Sequence, residues 1–235
     1  MTAKYYVDYR MNGVPSMFEL YLFINPLGQK CLKSEYDLLQ VYQSISENVD
    51  IHILPFNNVG ISEAFFKQLR MHQPDLATRN EVFQKIYLAS LAYKAANMQS
   101  KKVGREFLIA LQEAFSTAFE DFNRERVLDI ADTVPLDMDI FLSDLDSDLV
   151  KKLYLKDQTT AHEMNVVQTP TLVIYEHQSS SAEYLCDCDI NYQTIFETMN
   201  DFSERHFYRA QESHEQELKQ RLTPNLKLVH NRQVK

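Results

Sequence analysis

The sequence predicts an α/β fold with a block of helices set into it, and three observations lead there. A short apolar run, Phe18–Ile24, is followed by a helical pattern and then a second short run, Val49–Leu54. Segments of helical period fill the middle of the chain. A strand returns only at Thr171–Tyr175, with a partner near Glu183–Cys188. Strand, helix, strand, many helices, then strand, strand, helix is a sheet unit split by an insertion.

Each element has a local reason. Phe18–Ile24 is aromatic and apolar and is closed by Pro26, as a buried strand should be. From Gln29 to Glu47, Leu32, Tyr36, Leu39, Tyr42 and Ile45 recur at helical spacing. In Val49–Leu54, Val49, Ile51 and Ile53 alternate with more polar neighbours. A strand, a helix and a strand in this order imply a parallel pair joined by a right-handed crossover.

Thr78-Arg-Asn-Glu81 fits a capping box before the apolar run Val82–Met98. A second amphipathic helix is predicted over Val103–Asn123, with Phe107, Leu111, Phe115, Ala118 and Phe122 on one side. Shorter helices are predicted at Glu125–Asp132, Asp137–Leu145 and Ser147–Glu163, and a long one from Asn191 to Arg221 before Pro224. Leu226–Val229 is read as a short added strand.

Composition narrows the function classes. Of 235 residues, 45% are hydrophobic, enough for a real core. A net charge of −9 argues against nucleic acid and anionic membranes as partners. The start MTAKYYVDYRMNGVP has neither a basic nor an apolar leader region, and no apolar run reaches membrane-spanning length. Three cysteines make no secreted disulfide framework, so a reducing cytoplasm is expected. The four glycines, Gly13, Gly28, Gly60 and Gly104, are isolated, which excludes a glycine-rich phosphate loop.

Other motifs fail on particular residues. Asp144–Asp148 imitates a calcium loop, but Leu149 and Leu155 stand where glycine and glutamate are needed. His162-Glu163 lacks its second histidine, since Val166 occupies that place. Cys186-Asp-Cys188 has no second ligand pair and reads as two structural strand cysteines. The aspartates from Asp129 to Asp148 are helix caps and a solvated face, or an acidic docking surface. No metal, cofactor or catalytic residue is expected.

The element order, with Asn25-Pro-Leu-Gly-Gln-Lys-Cys31 after the first strand and Gln168-Thr-Pro-Thr171 entering the third, resembles a thioredoxin-like fold of the DsbA type. Lys94-Ala-Ala96, Gly104-Arg-Glu-Phe-Leu108 and Leu136–Phe141 resemble the helical insertion of that branch. Glu19–Leu27 and Val166–Leu172 are similar to the cytosolic SpxH (YjbH) family. Members of that family are adaptors that bind the transcription factor Spx and promote its degradation by the protease ClpXP. The resemblance implies a thioredoxin-like unit over 1–60 and 163–210, inserted helices over 61–162, and a C-terminal tail over 211–235. It also implies a cis peptide bond before Pro170.

In the redox members of this fold the loop before the helix is Cys-x-x-Cys. Here it is Gly28-Gln29-Lys30-Cys31, with glycine in place of the attacking thiol. The first cysteine is normally armed by the helix N-terminus, and the second attacks only to resolve a mixed disulfide. Cys31 has no partner in the loop, so it is read as a shielded thiol, with reaction as a lone exposed thiol the other possibility. Thr169 and Pro170 offer backbone to an extended peptide, or simply set the turn into the third strand. The resemblance implies a non-catalytic adaptor for Spx and ClpXP. The rival is a DsbA/FrnE-like thiol oxidoreductase, or a glutathione-dependent isomerase or transferase.

Overall fold

In the computed structural model the described residues are 18–45, 49–115, 118–177 and 180–202. Four strands form one sheet in the order β2-β1-β3-β4: β1 (Phe18–Ile24), β2 (Val49–Pro55), β3 (Thr171–Glu176) and β4 (Ser181–Cys186). β1 and β2 are parallel and joined by α1 (Gln29–Ile45), whereas β1–β3 and β3–β4 are antiparallel. β1 and β3 are central, and their runs of buried side chains follow from that position.

Alternation along the strands sends side chains to two faces. Leu20, Leu22, Ile24, Ile51, Ile53, Leu172 and Ile174 face one core, shared with Cys31, Leu38 and Val41 of α1 and with the helical block. Phe23, Leu54 and Val173 face a smaller one with Phe56, Ile61, Ala161 and Val166.

Between β2 and β3 lie α2 (Val59–Gln68), α3 (Leu76–Gln99), α4 (Lys101–Phe115), α5 (Arg124–Asp132), α6 (Met138–Leu145) and α7 (Asp148–Glu163). α3 is the centre of this block and packs on α4, α6 and α7. Residues 192–202 form a further helix, α8, whose Ile195, Met199 and Phe202 are buried.

Three local expectations are corrected. The cap of α3 is Asp75 rather than Thr78: its side chain accepts the Thr78 N–H at 2.8 Å, so the helix starts a turn earlier. α4 ends at Phe115, not Asn123. Phe119 and Phe122 still reach the core, but from a 3-10 turn at Phe119–Asp121, and Asn123 caps α5 instead. β4 ends at Cys186, where Asp187 turns into the left-handed region (φ 49°), leaving Cys188 exposed in a 3-10 turn rather than on a strand.

α2 is not predicted by the pattern. Val59-Gly60 weakens its first turn, yet Asn58 caps it by accepting the Ile61 N–H at 2.8 Å. Residues 203–221 of the predicted last helix, the tail 211–235 and the strand at Leu226–Val229 lie outside the described residues.

Candidate functional site

The Gly28–Cys31 loop is shaped by Asn25. Its side chain accepts the Leu27 N–H at 3.0 Å and its carbonyl accepts the Gly28 N–H at 2.9 Å, folding the chain over Pro26. The Gly28 carbonyl then takes the Leu32 N–H at 3.2 Å, and α1 begins. Gly28 itself is buried. The exposed part of the loop is Gln29 and Lys30.

Cys31 is 2% exposed, and the Asn25 N–H donates to its sulfur at 3.3 Å. Burial pushes the thiol up to about 12, against the pull of that N–H, and the Glu35 carboxyl one turn below adds to the rise. Reactive cysteines lie far below the ordinary value, so Cys31 is a protonated, shielded thiol at neutral pH.

The Thr169–Pro170 peptide bond is cis. The Thr169 side chain lies close enough to the Cys31 thiol to oppose the rise in its pKa, which places residues 28–31 and 169–170 in one site. A second tie crosses the site: Lys30 Nζ meets Asp187 Oδ2 at 2.5 Å, and the Asp187 N–H donates to the Pro170 carbonyl at 3.1 Å. Asn58 Nδ2 donates to the Val167 carbonyl at 3.1 Å, and Thr171 Oγ1 to the Gln168 carbonyl at 2.9 Å. Between these bonded neighbours, the Thr169 backbone N–H and carbonyl make no hydrogen bond among the described residues. Beside them Val59 and Val167 are 70% and 73% exposed.

The other candidates do not join this site as ligands. Cys186 Sγ lies 3.5 Å from Thr171 Oγ1, at the end of β4, and Cys188 is exposed beyond it. Sequence reasoning does not reach Asn25, Glu35 or Asp187. An Asn before Pro is a turn signal that points to the first, and Glu35 stands at i+4 from Cys31. Nothing local marks Asp187, which meets Lys30 from 157 residues away.

A buried, unpaired thiol under a cis-proline, on a βαβ unit followed by two antiparallel strands, is the frame of a thioredoxin fold, and a family model described as Thioredoxin matches residues 21–197. The chain belongs to the thioredoxin family. Its fold is of the DsbA type. A putative protein disulfide isomerase from Nitrosomonas europaea superposes with a TM-score of 0.61 at 13% identity, covering 81% of this chain and 99% of that one. The DsbA of Pseudomonas aeruginosa gives 0.57 at 15% identity, covering 84% and 88%.

Among curated proteins the chain is similar to "ClpXP adapter protein SpxH" of Bacillus licheniformis, 30% identical over 173 residues, or 67% of this chain and 57% of that one. The protein of the same name from Bacillus subtilis is 38% identical over 93 residues, covering 39% and 31%. The chain thus spans well under two thirds of the length of these relatives. Within the described residues no helix is long and apolar enough to cross a membrane.

Proposed function

We propose that the chain is a non-catalytic adaptor that binds the transcription factor Spx and promotes its degradation by the ClpXP protease. The observation that carries this reading is the site itself: a family member with glycine for the attacking thiol, whose remaining thiol is buried and protonated. A dithiol–disulfide cycle needs two sulfurs in the loop, and here there is one. Binding needs only a surface. The unpaired Thr169 backbone, the exposed loop residues Gln29 and Lys30, and the exposed Val59 and Val167 supply polar and apolar contacts side by side. A Kd of about 1 μM corresponds to about −8 kcal/mol, which such an interface reaches without any chemistry. The similarity to SpxH adaptors supports Spx and ClpXP as the partners, and a cytoplasmic site of action follows from that role.

The test is the rate at which ClpXP degrades purified Spx with and without this protein under reducing conditions. Several-fold acceleration is expected, unchanged by Cys31→Ala and reduced by Val167→Asp. No acceleration, with no binding of Spx by calorimetry, would overturn the reading. Dithiothreitol-coupled insulin reduction separates it from an oxidoreductase, because an adaptor leaves insulin intact.

A further inference from the structure

Away from the Cys31 site, a cavity of about 70 Å³ opens where the outer edge of the sheet meets α3 and α4. Apolar side chains of β2 line one part of it. Its polar lining consists of His52, Tyr93, Lys94, Asn97, Lys101 and Arg105, and no carboxylate is among the lining residues. The Tyr93 hydroxyl is spent on the Ile53 carbonyl at 3.1 Å. What remains is a ring of nitrogens in a chain with 33 acidic and 24 basic residues.

The ring follows from helix geometry. Lys94 and Asn97 are i,i+3 on α3, and Lys101 and Arg105 are i,i+4 on α4, so each pair shares a face. Gly104 lets the two helices close on this point, since a Cβ there would lie 2.6 Å from Asn97 Cα.

The cations are unequally satisfied. Lys94, 8% exposed, pairs with Asp157 at 2.7 Å. Lys101 pairs with Asp50 at 2.6 Å, and His52 reaches the same carboxylate at 3.3 Å. Arg105 has no carboxylate partner among the described residues; it lies over the face of Tyr42, 6.0 Å away, and within electrostatic reach of Tyr93. The Asn97 amide makes no hydrogen bond there either. Three cationic side chains against two carboxylates leave one positive charge, and it sits on a guanidinium whose planar fork suits an oxyanion.

We propose that this cavity binds one small oxyanion group, a phosphate or a carboxylate, held by Arg105, Lys101 and the Asn97 amide over the anchored Lys94. A space of about 70 Å³ is large enough to seat one such group. The site is separate from the Cys31 loop and does not depend on the adaptor reading.

The experiment is an amide-correlation NMR titration of the full chain at pH 7 with sodium phosphate and, separately, sodium acetate, against sodium chloride at matched ionic strength. Saturable shifts centred on Lys94, Asn97 and Arg105 are expected with phosphate or acetate and not with chloride. The tighter of the two names the source. Arg105→Gln should weaken binding about tenfold or more. Asn97→Asp, which puts a carboxylate into the ring, should abolish it and tests the same cavity independently of the Tyr42 contact. Shifts that never saturate, that chloride reproduces, or that survive both substitutions would overturn the site.

Discussion

A Cβ built on Gly28 would lie 3.2 Å from the Cys31 sulfur and 3.2 Å from the Asn25 carbonyl oxygen. Across a disulfide, the Cβ of one cysteine sits about 3 Å from the partner sulfur, given an S–S bond of about 2.04 Å. The loop therefore keeps the spacing of a bridge whose first member has been removed. Gly28→Cys is expected to form an intraloop disulfide with Cys31 under mild oxidation, after a shift of a few tenths of an ångström at Asn25. Alkylation followed by mass spectrometry would show one bridged pair in the variant. Four free thiols after oxidation would mean that the loop is held differently. In the natural chain Cys31 stays inaccessible, because burial and protonation both protect it.

At Gly104 the contact between α3 and α4 leaves no room for a side chain. Ala is a better helix former than Gly by about 1 kcal/mol, so Gly104→Ala alone would favour α4. Its new methyl, however, would meet Asn97 Cα at 2.6 Å, a backbone atom that moves only if the helices part. Overpacking of this kind costs about 1–3 kcal/mol, and here it outweighs the propensity gain. A net loss of up to about 2 kcal/mol is expected in denaturant unfolding of Gly104→Ala. A gain in stability would show that α4 shifts freely.

For the molecule as a whole, the joint between the sheet unit and the helical block holds a carboxyl that is uncharged at neutral pH. Glu35 of α1 is fully buried and accepts the Gln112 Nε2–H of α4 at 2.8 Å. Among the described residues Glu35 Oε2 and Gln112 Oε1 have no partner, and an ionised Glu35 offers neither of them a donor. A proton on Glu35 supplies one. Burial raises this carboxyl to about 8, with the Gln112 bond opposing.

A folded-state value above the ordinary one near 4.3 means that the native chain holds the proton longer. The resulting stability is complete below about pH 4 and is lost as pH rises through about 8. Glu35→Gln removes the titration and keeps the shape. Its unfolding free energy should fall less steeply than that of the natural chain between pH 5 and 8, by up to about 1.4 kcal/mol per pH unit. Parallel curves would show that Glu35 is already ionised in the fold.

Pattern and motif alone determined the α/β class, the parallel β1–β2 pair and the helical middle. Those features rest on periodicity or on residue identity, which are local. The resemblance of Gln168-Thr-Pro-Thr171 to the DsbA-type fold pointed to the cis bond before Pro170, and the fold has it. The ends of α4 and β4 were not legible. The apolar repeat runs on through Phe119 and Phe122 although the backbone has left the helix, and Asp187 turns the chain just where two cysteines suggest that a strand continues. Only the tertiary structure decided that Gly28 is buried, that Lys30 is tied to Asp187, and that Lys94, Asn97, Lys101 and Arg105 converge on one cavity. Each of these depends on which surfaces meet after the helices pack, and burial and charge pairing are properties of those meetings rather than of any segment.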